Sequence, residues 1–279
     1  MYSLLKGLLA LPVKGKNVTA LFVRRLRTSG WRSAMAFARC TLVNAYLRRR
    51  NRMTCKPKVQ CPCCGWEGHG FLMLDCGDFT VPGVECPACH GHERHRMLYL
   101  YLDRHHPEFF SMSGKVLHFA PEKHIRDLIL RNPDLHCIST DYAAEAIGFV
   151  PGPKVQTDMQ RMALADDAVD VLFCLHVLEH VPDDRKGLAE LHRILKPSGT
   201  AYIMVPFMMG WDETVEFGAP DPAIFDHVRG YSPKDFRERL APLEYEEITP
   251  ESFLTTDEIR RYRIPDSQTI YRCFKRSPE

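Results

Sequence analysis

From Lys115 onward the chain alternates short apolar runs with amphipathic stretches, and this alternation constrains its fold more than any other feature. Lys115–Phe119 (KVLHF), His136–Thr140 (HCIST), residues 154–157, Val169–Leu175 (VDVLFCL) and Thr200–Val205 (TAYIMV) read as five strands. Between them, Glu122–Arg131 and Asp184–Leu195 read as helices, the second with Leu188, Leu191 and Leu195 on one stripe. Lys196-Pro197-Ser198-Gly199 predicts the stop of that helix. Strands joined through helices build βαβ units, and so an α/β fold around a mostly parallel sheet. Ser232-Pro233 predicts the start of a further helix through about Leu240, with Pro in its first turn. Glu244–Ile248 and Ile270–Phe274 close the pattern as a final strand pair, and the stretch between Pro206 and Pro222 reads as loop.

Cysteine spacing adds a second constraint. Five of the 11 cysteines (Cys61, Cys63, Cys64, Cys86, Cys89) fall within 29 residues, as Cys61-Pro62-Cys63-Cys64-Gly65 and Cys86-Pro87-Ala88-Cys89. Two CxxC turns separated by 21 residues match the ligand set of a zinc ribbon, because each turn offers two thiolates about 3.7 Å apart, one edge of a tetrahedral zinc site. Cys61, Cys64, Cys86 and Cys89 are the expected metal ligands of a structural Zn2+, with Cys63 a spectator, His90 and His92 the substitute donors, and Cys76 a buried thiol. Metal-binding cysteines point to a reducing compartment, and a cytoplasmic location is the expectation.

Charge divides the chain. The formal net charge is +2, yet the first 66 residues hold no Asp or Glu and residues 1–58 hold 14 Lys+Arg, which leaves 23 basic against 35 acidic residues beyond them, a net of −12. Residues 1–57 read as a basic amphipathic helical arm. Trp31, Met35, Ala38, Leu42 and Tyr46 form its apolar stripe, while Arg32, Arg39 and the run Arg48, Arg49, Arg50, Arg52 supply charge. Such an arm suits an anionic membrane surface, packing on the rest of the chain or a partner, or nucleic acid, the last disfavoured by the lack of interleaved base-stacking aromatics. The opening MYSLLKGLLALP is interrupted by Lys6 and is followed by no convincing secretory cleavage site, though a mitochondrial presequence would share its composition. No window of 18 consecutive apolar residues predicts a transmembrane helix. The expected domains are the arm (1–57), the ribbon (58–93), a linking helix (94–111) and an α/β domain (112–279).

The stretch DMQRMALADDAVDVLFCLHVLEHVPDDRKGLAELHRILKPSGTAYIMVP, residues 158–206, resembles the core of class I S-adenosylmethionine-dependent methyltransferases, in particular the small-molecule subgroup. The resemblance covers about residues 112–275. The upstream ribbon, the Arg94-His95-Arg96 helix and the HFAPE segment also resemble a bacterial subgroup of these enzymes. It implies a Rossmann-like, doubly wound, mostly parallel seven-stranded sheet, with ligands at the carboxyl ends of the strands. Asp141, ending the second strand, is placed to accept both ribose hydroxyls of the cofactor, with Tyr142 beside it. Asp158 is placed to accept the adenine amino group, with Met159 beside the ring, and Leu175 ends the fourth strand. The plain alternatives are a strand-end turn for Asp141 and helix capping for Asp158. The family's first loop runs G-x-G-x-G, but here it is Phe119-Ala120-Pro121-Glu122 after His118, without glycine. The sequence leaves open whether that loop binds S-adenosylmethionine in full, with Glu122 on the cofactor's ammonium group, or marks a weakened site.

His176, His180 and His227 are the candidate general bases for an acceptor that must lose a proton. His176 and His180 share a face if their segment is helical. Glu179, Trp211, Arg229 and Tyr231 are candidate acceptor-binding residues, with Arg229 suited to an anionic group. Glu179 and Arg229 have structural alternatives, as a loop former and as the partner of a local carboxylate. The expected function is methyl transfer to an O or N atom of a small-molecule or glycan-type acceptor. The alternatives are an RNA or protein methyltransferase that grips its substrate through ribbon and arm, and a non-catalytic zinc-binding assembly protein.

Overall fold

The structure is a computed structural model that describes residues 18–143, 151–221 and 225–275; residues 1–17 of the expected arm lie outside them. The elements run α1 (Val18–Thr28), α2 (Gly30–Met53), β1 (Val59–Gln60), β2 (Glu67–Gly68), β3 (Leu72–Asp75), β4 (Thr80–Glu85), α3 (Glu93–His105), β5 (Gly114–Phe119), α4 (Lys123–Ile129), β6 (Leu135–Asp141) and β7 (Lys154–Gln156). They continue with β8 (Val169–Leu175), α5 (Asp184–Ile194), β9 (Leu195–Met204), β10 (Val215–Asp221), β11 (His227–Gly230), α6 (Phe236–Arg239), β12 (Leu243–Ile248), α7 (Thr256–Tyr262) and β13 (Ile270–Lys275). The chain forms two compact units, divided between Arg96 and Met97, with α7 belonging to the first.

In the first unit the expected single helix is two. Gly30, at φ +81°, lets the chain turn between α1 and α2, a conformation that glycine adopts without steric cost. Val18 and Phe22 of α1 then pack on Ala34 and Ala38 of α2. The buried face of α2 is therefore built of small residues (Ser33, Ala34, Ala36, Ala38, Cys40), and of the apolar stripe Trp31, Met35 and Tyr46 lie outside, with Trp31 66% exposed. α2 lies on β3 through side-chain amides. Asn44 accepts from Met73 N (2.7 Å) and donates to Met73 O (2.9 Å), and Asn51 accepts from His69 N (2.8 Å) and donates to Gly70 O (3.0 Å). Seven residues apart, the two amides share one helix face and pair with strand-edge backbone groups. β1 pairs with β2 and β3 with β4, both antiparallel. Arg96 is fully buried, stacks 3.9 Å from the Phe71 ring centroid, and donates to Tyr262 O (2.7 Å), Val84 O (2.7 Å) and Arg263 O (3.0 Å). One guanidinium thus ties ribbon backbone to the end of α7, residues distant in sequence.

The second unit is a seven-stranded sheet in the order β7-β6-β5-β8-β9-β13-β12. β7, β6, β5, β8 and β9 are mutually parallel, while β13 runs antiparallel to β9 and to β12. This is the doubly wound, mostly parallel sheet expected. The order reverses between β5 and β8, and the cleft at that switch point is where such sheets bind ligands. Leu188, Leu191 and Ile194 of α5 are buried in the core under the sheet.

Three expectations about elements are corrected. Lys196–Gly199 is no gap between helix and strand. β9 starts at Leu195, directly after α5, and its register shifts between the Val169–Leu195 and Val171–Thr200 pairs, a bulge that absorbs these residues. The stretch after Pro206 is not all loop: Val215–Asp221 is β10 and pairs antiparallel with β11, because the segment that reads as a turn before Ser232 supplies a partner strand. The helix after Ser232-Pro233 is the short Phe236–Arg239.

Candidate functional site

The candidate site gathers at the carboxyl ends of β5, β6, β7 and β8. The HFAPE segment that leaves β5 takes a conformation its composition does not favour. Ala120 sits at φ +43°, the left-handed region that costs a non-glycine residue about 1–2 kcal/mol. The turn is held on both sides: Ala120 N donates to Thr140 O (2.8 Å), and the buried His118 accepts from Glu122 N (3.4 Å) at the start of α4. The loop therefore turns at an alanine in the left-handed conformation. Phe119 is buried below it, and Pro121 and Glu122 are half-buried at its rim.

Asp141 ends β6, where its carboxylate accepts from Ala143 N (2.9 Å) and Tyr142 beside it is exposed. Asp158, two residues beyond β7, accepts from Gln160 N (2.9 Å) and Gln160 Nε2 (3.1 Å). Met159 turns inward: its side chain lies in the core, and its Sδ is 3.3 Å from where a side chain on Gly187 would begin. The side chain expected beside a ring is thus a core residue. Leu175 is buried at the end of β8. Asp141 and Asp158 thus follow two adjacent parallel strands, both on the same side of the loop that leaves β5.

After β8 the chain turns at His176 (φ +54°) into a 3-10 turn, Leu178–His180. His176 lies outside the turn, so it shares no helical face with His180. The Glu179 carboxylate is buried, 1% exposed, and faces imidazoles: His176 Nδ1 at 3.5 Å and His227 Nε2 at 4.0 Å. His227 opens β11, and its ring meets that of His180 edge to face at 4.8 Å between centroids. His180, exposed at the surface, turns Nδ1 to the carbonyl of Asp226 at 3.3 Å. Burial lowers the pKa of both, and His227, beside His180, falls to about 4.

Arg229 is 2% exposed and its guanidinium is committed inside the fold. It pairs with Glu216 (2.9 Å) and donates to the carbonyls of Leu178 (2.9 Å), Val181 and Pro182 (2.8 Å). Instead of reaching for an anionic acceptor, it clamps the turn that carries Glu179 and His180. Tyr231 is equally buried and donates to Asp184 (2.8 Å), which also pairs with Arg239 (2.8 Å). Trp211 is half-buried, its ring packed against Gly230. Neither Arg229 nor Asp184 could have been assigned these roles from sequence, since nothing local marks a partner about 50 residues away.

In the first unit Cys61 Sγ lies 3.7 Å from Cys89 Sγ and Cys64 Sγ 3.8 Å from Cys86 Sγ, with all four sulfurs within 4.8 Å of one another. Thiolates at about 2.3 Å from one zinc are separated by about 3.8 Å, so the cluster fits a zinc ribbon. The two turns are built alike. Gly65 N donates to Cys61 O and His90 N to Cys86 O, each at 2.9 Å, and Gly65 and His90 both have positive φ. His90 directs Nδ1 to Glu85 (2.6 Å) and Cys63 is not among the four sulfurs. Burial lifts the Cys89 thiol to about 12, and its contact with Cys61 followed by burial lifts Cys86 further. A divalent cation reverses that tendency by stabilising the thiolates.

The strand order defines a doubly wound, mostly parallel α/β fold. Residues 123–203 match the family described as "Methyltransferase domain". Similar solved structures include an S-adenosylmethionine-dependent methyltransferase from Archaeoglobus fulgidus, 15% identical, covering 67% of this chain and 96% of its own, TM-score 0.47. Another is the 1,6-didemethyltoxoflavin-N1-methyltransferase of Burkholderia thailandensis with bound S-adenosylhomocysteine, 15% identical, 66% and 79% covered, TM-score 0.46. A third is the PH0226 protein of Pyrococcus horikoshii, 14% identical, 65% and 91% covered, TM-score 0.46. No curated protein sequence matches the chain. Among the described residues no helix is long and apolar enough to cross a membrane.

Proposed function

We propose that this chain is a cytoplasmic enzyme that transfers a methyl group from S-adenosylmethionine to an oxygen or nitrogen of a small-molecule or glycan-type acceptor, with a structural zinc held by Cys61, Cys64, Cys86 and Cys89. The observation that carries this reading is the HFAPE turn: Ala120 holds a left-handed conformation at the switch point, beside the carboxylates of Asp141 and Asp158. Backbone strain of this kind is enriched at ligand sites.

When bound, the cofactor supplies a methyl group on a positively charged sulfur, open to in-line attack. Asp141 would hold the ribose hydroxyls, Asp158 the adenine amino group, and Glu122 at the rim of the turn the ammonium group. Burial disfavours the cationic form of both His180 and His227, and each is a candidate base for an acceptor that loses a proton.

Calorimetric titration with S-adenosylmethionine tests the reading. The wild-type chain should bind, and Asp141→Ala should weaken binding at least tenfold, about 1.4 kcal/mol. Unchanged affinity in the variant would remove the ribose assignment. Absence of binding by the wild-type chain would favour the non-catalytic alternative.

The arm supports a proposal about location. Trp31, Met35, Tyr46 and Met53 are exposed on α2, interspersed with exposed Arg32, Arg39, Arg48, Arg49 and Arg52. Aromatic and basic side chains on one exposed helix suit an anionic membrane surface, where each basic residue contributes about 1 kcal/mol. Vesicles containing phosphatidylserine should sediment the protein, neutral vesicles should not, and replacing Arg48 and Arg49 by Gln should release it. Equal partition to both vesicle types would overturn the proposal.

A further inference from the structure

We propose that Glu179, His180 and His227 form a binding site for one divalent transition-metal cation at the carboxyl end of β8. The three residues offer one carboxylate oxygen and two imidazole nitrogens, all within 4.8 Å of one another. Donors held 2.0–2.2 Å from a common metal lie about 3–3.5 Å apart. His227 Nε2 is already 4.0 Å from Glu179 Oε1, so small side-chain rotations close the set. Two imidazoles and a carboxylate on one side of an ion leave its remaining positions open, the donor set that suits iron, manganese, cobalt or zinc.

The surroundings are built to hold these donors. Glu179 is buried, so its rotamer is restricted, and His176 Nδ1 stands 3.5 Å from the same carboxylate oxygen, where it orients the group. His180 Nδ1 faces the Asp226 carbonyl at 3.3 Å. That contact fixes the tautomer that leaves Nε2 with its lone pair, the arrangement usual for metal-ligating histidines. The turn bearing Glu179 and His180 is clamped by Arg229 through the carbonyls of Leu178, Val181 and Pro182. His227 sits two residues before Arg229 on β11, so one strand supplies both the third donor and the clamp. Asp226 and His176, flanking the cluster on either side, both adopt positive φ, and backbone strain of this kind concentrates at ligand sites. The position also has chemical sense: exposed His180 opens the cluster outward, so the free coordination positions can take a water or an acceptor oxygen and lower its pKa. Only that use rests on the methyltransferase reading; the binding of the ion does not.

Titration of the zinc-loaded full chain with Mn2+, followed by electron paramagnetic resonance, tests the site, because Mn2+ competes poorly for thiolates. One Mn2+ should bind per chain. His180→Ala and His227→Ala should each weaken it at least tenfold, with melting temperatures measured alongside; His180 is exposed, so its replacement leaves the fold in place. No binding by the wild-type chain, or equal affinity in wild type and both variants, would overturn the proposal. S-adenosylmethionine titrated into the same sample separates the two readings. Cofactor binding without Mn2+ binding removes the metal site alone, and Mn2+ binding without cofactor binding supports the metal site while removing the enzyme reading.

Discussion

The two clusters of metal-type donors in this molecule are built on opposite plans. The first unit brings together four identical soft ligands from two turns of the same design, spaced as the edges of a tetrahedron. Such a shell is full, and its metal does no chemistry beyond holding the ribbon. The second unit gathers unlike ligands, a buried carboxylate and two imidazoles, from two different segments, and leaves one side open at His180. The first cluster would be stabilised by the zinc proposed for it. The second is pre-formed by a buried arginine that contributes no ligand. A closed site can be written in local spacing, whereas an open one needs a scaffold, because ligands from separate segments are ordered only if something else fixes their backbones.

This comparison can be broken at its strongest point first. Replacing both Cys61 and Cys86 by Ser should abolish stoichiometric zinc and unfold the first unit, since structural zinc contributes on the order of 10 kcal/mol to small ribbons. Metal analysis together with circular dichroism checks it, and zinc retained in the double variant would end the ribbon assignment. Arg229→Met comes next. It removes the clamp on residues 178–182 and leaves three carbonyls without their donor, while Glu216 keeps Arg239, a loss of about 1–3 kcal/mol. Urea unfolding should show a lower midpoint and Mn2+ affinity should fall with it, while a variant as stable as wild type would mean the scaffold is not what orders the second cluster. The smallest effect is expected at Ala120→Gly. Relief of the left-handed strain should raise stability by up to about 1 kcal/mol, leaving S-adenosylmethionine affinity unchanged or slightly better. Clear destabilisation would show that the alanine methyl group packs and that the turn differs from its glycine counterpart.

Much of the fold was legible because parallel strands buried on both faces are nearly continuous apolar runs. Val169–Leu175 is β8 to the residue, and the final strand pair lies where its alternation predicts. The β10 strand was not legible. Val215–Asp221 holds Gly218 and Pro220 and looks like loop, and only pairing with β11 makes it a strand. The arm shows a different failure. Its apolar stripe suited a membrane surface or packing on the chain alike, and α1 and β3 approach α2 on the side where Ala34, Ala38, Asn44 and Asn51 permit close contact. Helical periodicity identifies which residues share a face and not which face finds a partner.

At the site the histidines were recognisable as chemistry-bearing residues, and the carboxylates of Asp141 and Asp158 as strand-end groups. Their partnerships were not. Arg229 reads as an anion ligand in a short motif, but in the fold it is the support of a turn about 50 residues upstream. What the sequence determined by itself is whatever depends on short-range geometry: the zinc-ligand spacing, the strand–helix alternation and the split of charge between arm and body. The tertiary structure alone decided which polar side chains became scaffold and which remained available as ligands. A buried arginine or asparagine is satisfied by whichever backbone groups the completed fold places within hydrogen-bond reach, and those groups come from segments far apart in the chain.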